Sequence, residues 1–248
     1  MTGASGSVYA VRLLQQLLLA DREVHLVYSP SATTVLWQEL KIQIKQNGPS
    51  DAPKTSLETS QSSELIESII EYFWPDLEER WGKRPTAKDA LQTGKLVVHH
   101  YQDYMTPIAS GSFLTGGMVI CPCSGATLSG VVHAAGNNLI QRAADVHLKE
   151  HRKIILVPRE TPMSVFQLEN MHRAAQAGAI VLPAMPGWYH GVNSVVDLVD
   201  FVVARILDHL DVPHQLMHRW GAESEAHSVV EQEPEASAKE NLDAKHGR

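Results

Sequence analysis

Thr2-Gly3-Ala4-Ser5-Gly6-Ser7, running directly into the amphipathic stretch from Val8 to Ala20, is the segment on which the fold turns. Small residues at the start of a helix let a ligand approach backbone N–H groups that have no partner inside the helix, and the helix dipole favours negative charge there. In outline this is an anion site. A short Gly/Ser turn opening an ordinary helix gives the same pattern, so the stretch has meaning only through what surrounds it.

Downstream, short β-rich runs alternate with amphipathic ones, the pattern of a parallel sheet covered by helices. Strands are predicted at Val24–Tyr28, Leu96–Tyr101, Met118–Cys121, Ile154–Val157 and Ala179–Leu182. Helices are predicted at Val8–Ala20, within Leu128–Glu150, at Ser164–Ala177 and at Ser194–Leu210. The last has a broad apolar face, with Ser194 and Asp197 spaced as a capping box. The fold class that follows is α/β, a flavodoxin-like or Rossmann-like doubly wound parallel sheet forming one domain over residues 1–221. Residues 44–95 read as an insertion: a polar loop at Gln46–Ser63, then a helix with Leu65, Ile66, Ile69, Ile70 and Phe73 on one side, ended near Pro75. Residues 222–248 read as an acidic, disordered tail.

Of the 248 residues, 44% are apolar and 20% charged, which excludes a wholly disordered, collagenous or coiled-coil chain. No apolar run approaches the roughly 20 residues of a bilayer helix, and the N-terminus has no basic-then-apolar signal pattern. The expectation is a soluble cytoplasmic protein without a membrane partner. The formal charge of −7 argues against nucleic-acid binding, and seven acids against three bases in residues 222–248 account for much of it. Cys121 and Cys123, separated by Pro122, are too close for an ordinary disulfide and too few for a structural zinc site, so reduced, packed thiols are expected.

Further turns repeat the first one's chemistry. Ser110-Gly111-Ser112 is one, and Cys121-Pro122-Cys123-Ser124-Gly125-Ala126-Thr127 follows an apolar strand. Ligands of open α/β sheets bind at the carboxyl ends of strands, so three hydroxyl-bearing turns are expected to converge on one edge. After another strand comes Val157-Pro158-Arg159-Glu160-Thr161-Pro162, an Arg-Glu pair stiffened by flanking prolines. Pro183-Ala184-Met185-Pro186-Gly187-Trp188-Tyr189-His190 follows the last strand; its aromatics can serve a flat ligand or plug the core.

These motifs, with Arg142-Ala143-Ala144-Asp145 and Leu148-Lys149-Glu150, stand in the order and approximate spacing of the UbiX-type flavin prenyltransferases. The resemblance covers residues 1–43 and 96–221. It implies an enzyme that joins a dimethylallyl group from dimethylallyl phosphate to N5 and C6 of reduced FMN without a metal. The product, prenylated FMN, serves UbiD-type decarboxylases. It also implies a homo-oligomer, by resemblance a dodecamer. Related readings are a flavin-dependent cysteine decarboxylase, whose Pro-x-Met-Asn turn is here Pro183-Ala184-Met185-Pro186, and a non-catalytic FMN carrier subunit of an aromatic-acid decarboxylase.

Carried over by motif, Gly3, Ala4, Ser5, Ser29, Ser124, Gly125, Ala126, Thr127 and Arg159 are implied to contact FMN. Ser110, Gly111, Lys149, Arg159, Glu160, Tyr189 and Arg205 are implied around the prenyl phosphate, with Tyr189 and Arg205 acting across a subunit contact. Glu160 is the implied acid and base, alongside Lys149 and Ser5, and Trp220 faces the allyl group. The residues alone leave other readings open. Arg159-Glu160 can be a surface pair, Arg205 can pair with Asp208 or Asp200 within its helix, Lys149 can be a charged helix end, and Trp220 can anchor the tail. Only Met1 and Thr2 precede the first turn, where the family has a short apolar strand. Extending the chain upstream of Met1 by an apolar stretch is therefore expected to raise soluble yield.

Overall fold

The computed structural model describes residues 1–42, 68 and 96–217. The loop expected at 46–63, the helix expected from Leu65 to Phe73 apart from Ser68, Trp220 and the acidic tail lie outside these residues. In chain order the elements are α1 (Ser7–Leu19), β1 (Val24–Val27), α2 (Pro30–Leu40), β2 (Leu96–His99), a 3₁₀ turn (Pro107–Ala109), β3 (Met118–Cys123), α3 (Gly125–Val132), α4 (Leu139–Lys149), β4 (Ile154–Pro158), α5 (Val165–Gln176), β5 (Ile180–Val181) and α6 (Val195–His209). No helix among the described residues is long and apolar enough to cross a membrane.

Among the described residues all strand pairings are parallel, in the orders β1-β2 and β3-β4-β5. The five predicted strands are present, and β3 runs two residues beyond its expected end, through Cys123. The burial of every residue of β4 fits a strand covered on both faces by helices. On one side, α1 and α6 pack together through Val11, Leu14, Val199, Val202 and Val203. Inside that contact Arg12 and Asp200 make a bidentate ion pair at 2.6 and 2.8 Å, both essentially inaccessible to water. This pair removes Asp200 from the candidate partners of Arg205.

Helix ends follow local rules. Ser194 and Asp197 form the expected capping box at the start of α6, and Ser164 with Gln167 forms another on α5. The stretch 128–150 resolves into α3 and α4, divided by a turn with Ala134 and Gly136 at positive φ. Helix α2 was not expected, because Thr33, Thr34 and Val35 are β-branched and lower helix propensity. Its signals were Ser29 as N-cap, accepting from the Ala32 amide, and Pro30 in the first turn.

The single continuous sheet of the expectation is divided between β1 and β3, and there Met1 and Thr2 bridge the gap. The Met1 amino group donates to Val27 O at 2.7 Å and the Ser29 amide donates to Met1 O at 3.0 Å, the two bonds of a parallel ladder opposite Tyr28. Thr2 Oγ1 donates to Pro122 O at 2.6 Å and accepts from the Ser124 amide at 2.8 Å. Behind these residues lies a cavity of about 670 Å³, lined by Val24–Val27 on one side, Met118–Cys121 on the other and α1 residues such as Leu13 and Leu14. Burial pushes the Met1 amino group down to a pKa of about 6, against smaller raising effects from Cys121 and Cys123.

Candidate active site

The first turn does bind an anion, but the anion belongs to the protein. Gly6, at φ 106°, closes the turn into α1, a conformation that glycine adopts without penalty. Its amide and that of Ser7 donate to the Glu39 carboxylate at 2.8–3.1 Å. Burial pushes the Glu39 carboxyl up, and hydrogen bonds from Ser5, Ser7 and Gly6 together outweigh it and hold the pKa below its ordinary value. The expectation of N–H groups open to a phosphate at this turn is corrected accordingly. Glu39 escaped the sequence reading because it is 32 or more residues away from the groups it meets and sits on a helix that was not expected.

Around this turn the structure gathers most of the residues assigned to the flavin. A Cβ on Gly3 would overlap the Ser31 hydroxyl and lie 2.6 Å from Ser31 Cβ, so the turn rests directly against the start of α2. Ser29 Oγ caps that helix and lies 3.0 Å from Ser31 Oγ. Thr2 ties the turn to Ser124, whose side chain caps α3 and donates to Thr127 Oγ1 at 3.0 Å. From β4, Arg159 Nε donates to Ser5 O at 3.0 Å. Gly3, Ala4, Ser5, Ser29, Ser124, Gly125, Ala126, Thr127 and Arg159 thus lie on adjoining turns at the carboxyl ends of β1, β3 and β4.

Glu160 is aimed by a cap. Gln167 Oε1 accepts from the Ser164 amide at 2.8 Å as part of the α5 capping box, while its Nε2 donates to Glu160 Oε2 at 3.1 Å. A Cβ on Gly125 would stand 2.9 Å from the same Nε2, so the α3 turn and Glu160 share one neighbour. Arg159-Glu160 is therefore not merely a surface pair: its two side chains hold separate partners on separate elements.

The turn at Ser110-Gly111-Ser112 departs from the expected convergence. A Cβ on Gly111 would overlap the Glu150 carboxylate and lie 3.2 Å from Lys149 Nζ, and Lys149 is bound to Glu150 at 2.8 Å. Arg152 fastens the turn by donating to Gly111 O and, at 2.7 Å, to Phe113 O. Lys149 ends α4 just before β4 begins, whereas Ser124 and Arg159 follow the far ends of β3 and β4. The five steps along the six residues of β3, at about 3.3 Å each, set these ends about 17 Å apart, beyond the reach of a lysine side chain. Within one protomer the third turn is remote from the other two, because it leads into a strand instead of leaving one.

Tyr189 and Arg205 are held by contacts of their own. Tyr189 is 68% exposed and packs edge-on against Phe201 of α6, beside exposed Trp188 and Met185. Arg205 Nη1 donates to Asp208 Oδ2 at 2.9 Å, the intrahelical pairing left open by the sequence. Cys121 and Cys123 are buried free thiols, and burial pushes both up to about 12, so neither is poised as a nucleophile.

Comparison with known proteins agrees with this geometry. The family model described as Flavoprotein matches residues 1–207. Flavin prenyltransferase UbiX of Alkalihalophilus pseudofirmus is 42% identical over 221 residues, 89% of this chain and 94% of that protein. AnUbiX (PadA1), solved in complex with FMN and dimethylallyl pyrophosphate, superposes with a TM-score of 0.66 at 31% identity, covering 89% of this chain and 94% of that one. A dodecameric FMN-dependent UbiX-like decarboxylase from Escherichia coli O157:H7 superposes with a TM-score of 0.65 at 32% identity, covering 89% and 99%. Adjoining turns at the strand ends, an arginine laid across the first of them and a likeness spanning nearly the whole described chain lead to one conclusion: the protein belongs to the UbiX-type flavin prenyltransferases of the flavoprotein family.

Proposed function

We infer that the protein is a flavin prenyltransferase, transferring the dimethylallyl group of dimethylallyl phosphate to N5 and C6 of reduced FMN and releasing inorganic phosphate. The observation that carries this reading is the junction of Ser5, Ser124–Thr127 and Arg159. Its hydroxyls, small residues and guanidinium form a donor set that fits a phosphomonoester on a polyol chain. The α1 N-terminus is satisfied by Glu39, so the flavin phosphate falls to the α2 and α3 turns, where Ser29, Ser124 and Thr127 stand. Reduced flavin, when bound, supplies the nucleophilic N5 and C6.

The chain's own residues supply charge and proton control. Arg159 lies between the first turn and Glu160, where its charge strengthens hydrogen bonds to a departing phosphate. Glu160, held by Gln167, takes or returns the proton exchanged with that phosphate. Ser5 is fixed by its contact with Glu39. Lys149, Ser110 and Gly111, too distant from these groups within one protomer, act on the site of a neighbouring protomer, as do Tyr189 and Arg205. A homo-oligomer, dodecameric like its E. coli relative, completes each site. The product passes in the cytoplasm to a decarboxylase of the UbiD type.

A Glu160→Gln variant tests the assignment: FMN is retained and prenyl transfer falls by at least about 100-fold. Turnover close to that of the unaltered protein would remove Glu160 from the chemistry and favour a carrier role.

A further inference from the structure

Arg205 lies near the end of α6 and reaches Asp208 one turn later. An exposed pair of this kind holds little by itself, since two flexible side chains must be ordered to form it. This pair, however, is anchored from the core. The second oxygen of Asp208, Oδ1, is 3.1 Å from His214 Nε2, and the His214 side chain is only 2% exposed. His214 Nδ1 accepts from the Leu216 amide at 3.4 Å. Accepting at Nδ1 requires that nitrogen to be unprotonated, so the ring proton is on Nε2 and is donated to Asp208.

The segment carrying His214 is itself fixed. Val212 and Leu216 belong to the main core cluster, and the Val212 amide donates to Leu207 O at 3.0 Å. A line of hydrogen bonds thus runs from Leu216 through His214 and Asp208 to the guanidinium of Arg205. One oxygen of Asp208 faces the core and the other faces Arg205. The contact takes one of the five N–H donors of the guanidinium, leaving the others to meet a phosphate.

We propose that Asp208, anchored by His214, is a positioning residue that presents Arg205 to the phosphate of the prenyl substrate. The inference rests on the reading of Arg205 as a phosphate contact, and it adds that the contact is preorganised by a carboxylate and a buried imidazole that do not touch substrate. Its energetic consequence falls on substrate capture, because an unheld arginine must be ordered at each binding event.

The test is steady-state prenylation with saturating reduced FMN and varied dimethylallyl phosphate, for the unaltered protein, Arg205→Ala, Asp208→Asn, Asp208→Glu and His214→Phe. Asp208→Asn is expected to raise KM for dimethylallyl phosphate about fivefold or more with kcat within about twofold, and Asp208→Glu to recover most of that loss. His214→Phe is expected to shift KM in the same direction, and it carries the same readout if Asp208→Asn does not fold. An unchanged KM in Asp208→Asn or His214→Phe, beside a raised KM in Arg205→Ala, overturns the positioning role alone. So does an equal loss of kcat and kcat/KM accompanied by a lower melting temperature. An unchanged KM in Arg205→Ala overturns the reading of Arg205 on which the inference stands.

Discussion

Arg159 Nε donates to the backbone carbonyl of Ser5 at 3.0 Å across 154 residues of sequence, joining the loop after β4 to the turn that opens α1. A guanidinium held in this way is a fixed positive charge beside the turns proposed to hold FMN. Replacing Arg159 with Ala is expected to weaken FMN binding by roughly 10- to 100-fold, the scale of one or two charge-assisted hydrogen bonds. Fluorescence titration of FMN measures it directly.

Glu39 supplies the anion at the head of α1, so Glu39→Gln is expected to lower stability by about 1 kcal/mol, as losing a helix cap does. The pH dependence has a definite sign. Hydrogen bonding holds the folded-state pKa below the ordinary value, so the stabilisation is complete above the ordinary glutamate range near pH 4.3 and is lost as pH falls through the depressed folded value. Melting temperatures of the unaltered protein should fall more steeply below about pH 4 than those of Glu39→Gln.

Two glycines separate structural from substrate effects. At Gly3 an added methyl meets the fixed Ser31 Cβ at 2.6 Å, so Gly3→Ala is expected to cost about 1–3 kcal/mol in thermal or denaturant unfolding and to reduce FMN binding. At Gly111 it meets the movable end of Glu150. Gly111→Ala should therefore leave stability within about 1 kcal/mol while displacing the Lys149–Glu150 pair and raising KM for dimethylallyl phosphate.

The Met1 amino group illustrates the opposite titration. Its folded pKa of about 6 lies below the unfolded value near 8, so the unfolded chain binds more protons between those values and stability rises with pH from 6 to 8. Melting temperatures measured from pH 6 to 8 check this: a rise with pH is expected, and a flat profile would speak against it.

The elements were legible wherever a local signal was strong. α6 was readable from its apolar face and from Ser194 and Asp197, and each strand from its short β-branched run. α2 was missed because its β-branched residues speak against a helix while its N-cap speaks for one. The remaining gaps are matters of distance. Nothing near Glu39 points to a turn 33 residues earlier. The order of motifs suggests a shared site for Ser110 and Lys149 with the other turns, but their separation of about 17 Å from Ser124 and Arg159 follows only from the direction in which β3 runs.

Prenyl transfer to flavin is measured directly by anaerobic incubation of the purified protein with reduced FMN and dimethylallyl phosphate, followed by mass spectrometry of the released flavin. The expected product is a flavin heavier by one five-carbon prenyl unit, formed by the unaltered protein and not by Glu160→Gln. Tightly bound but unmodified FMN from a folded, oligomeric preparation would contradict it.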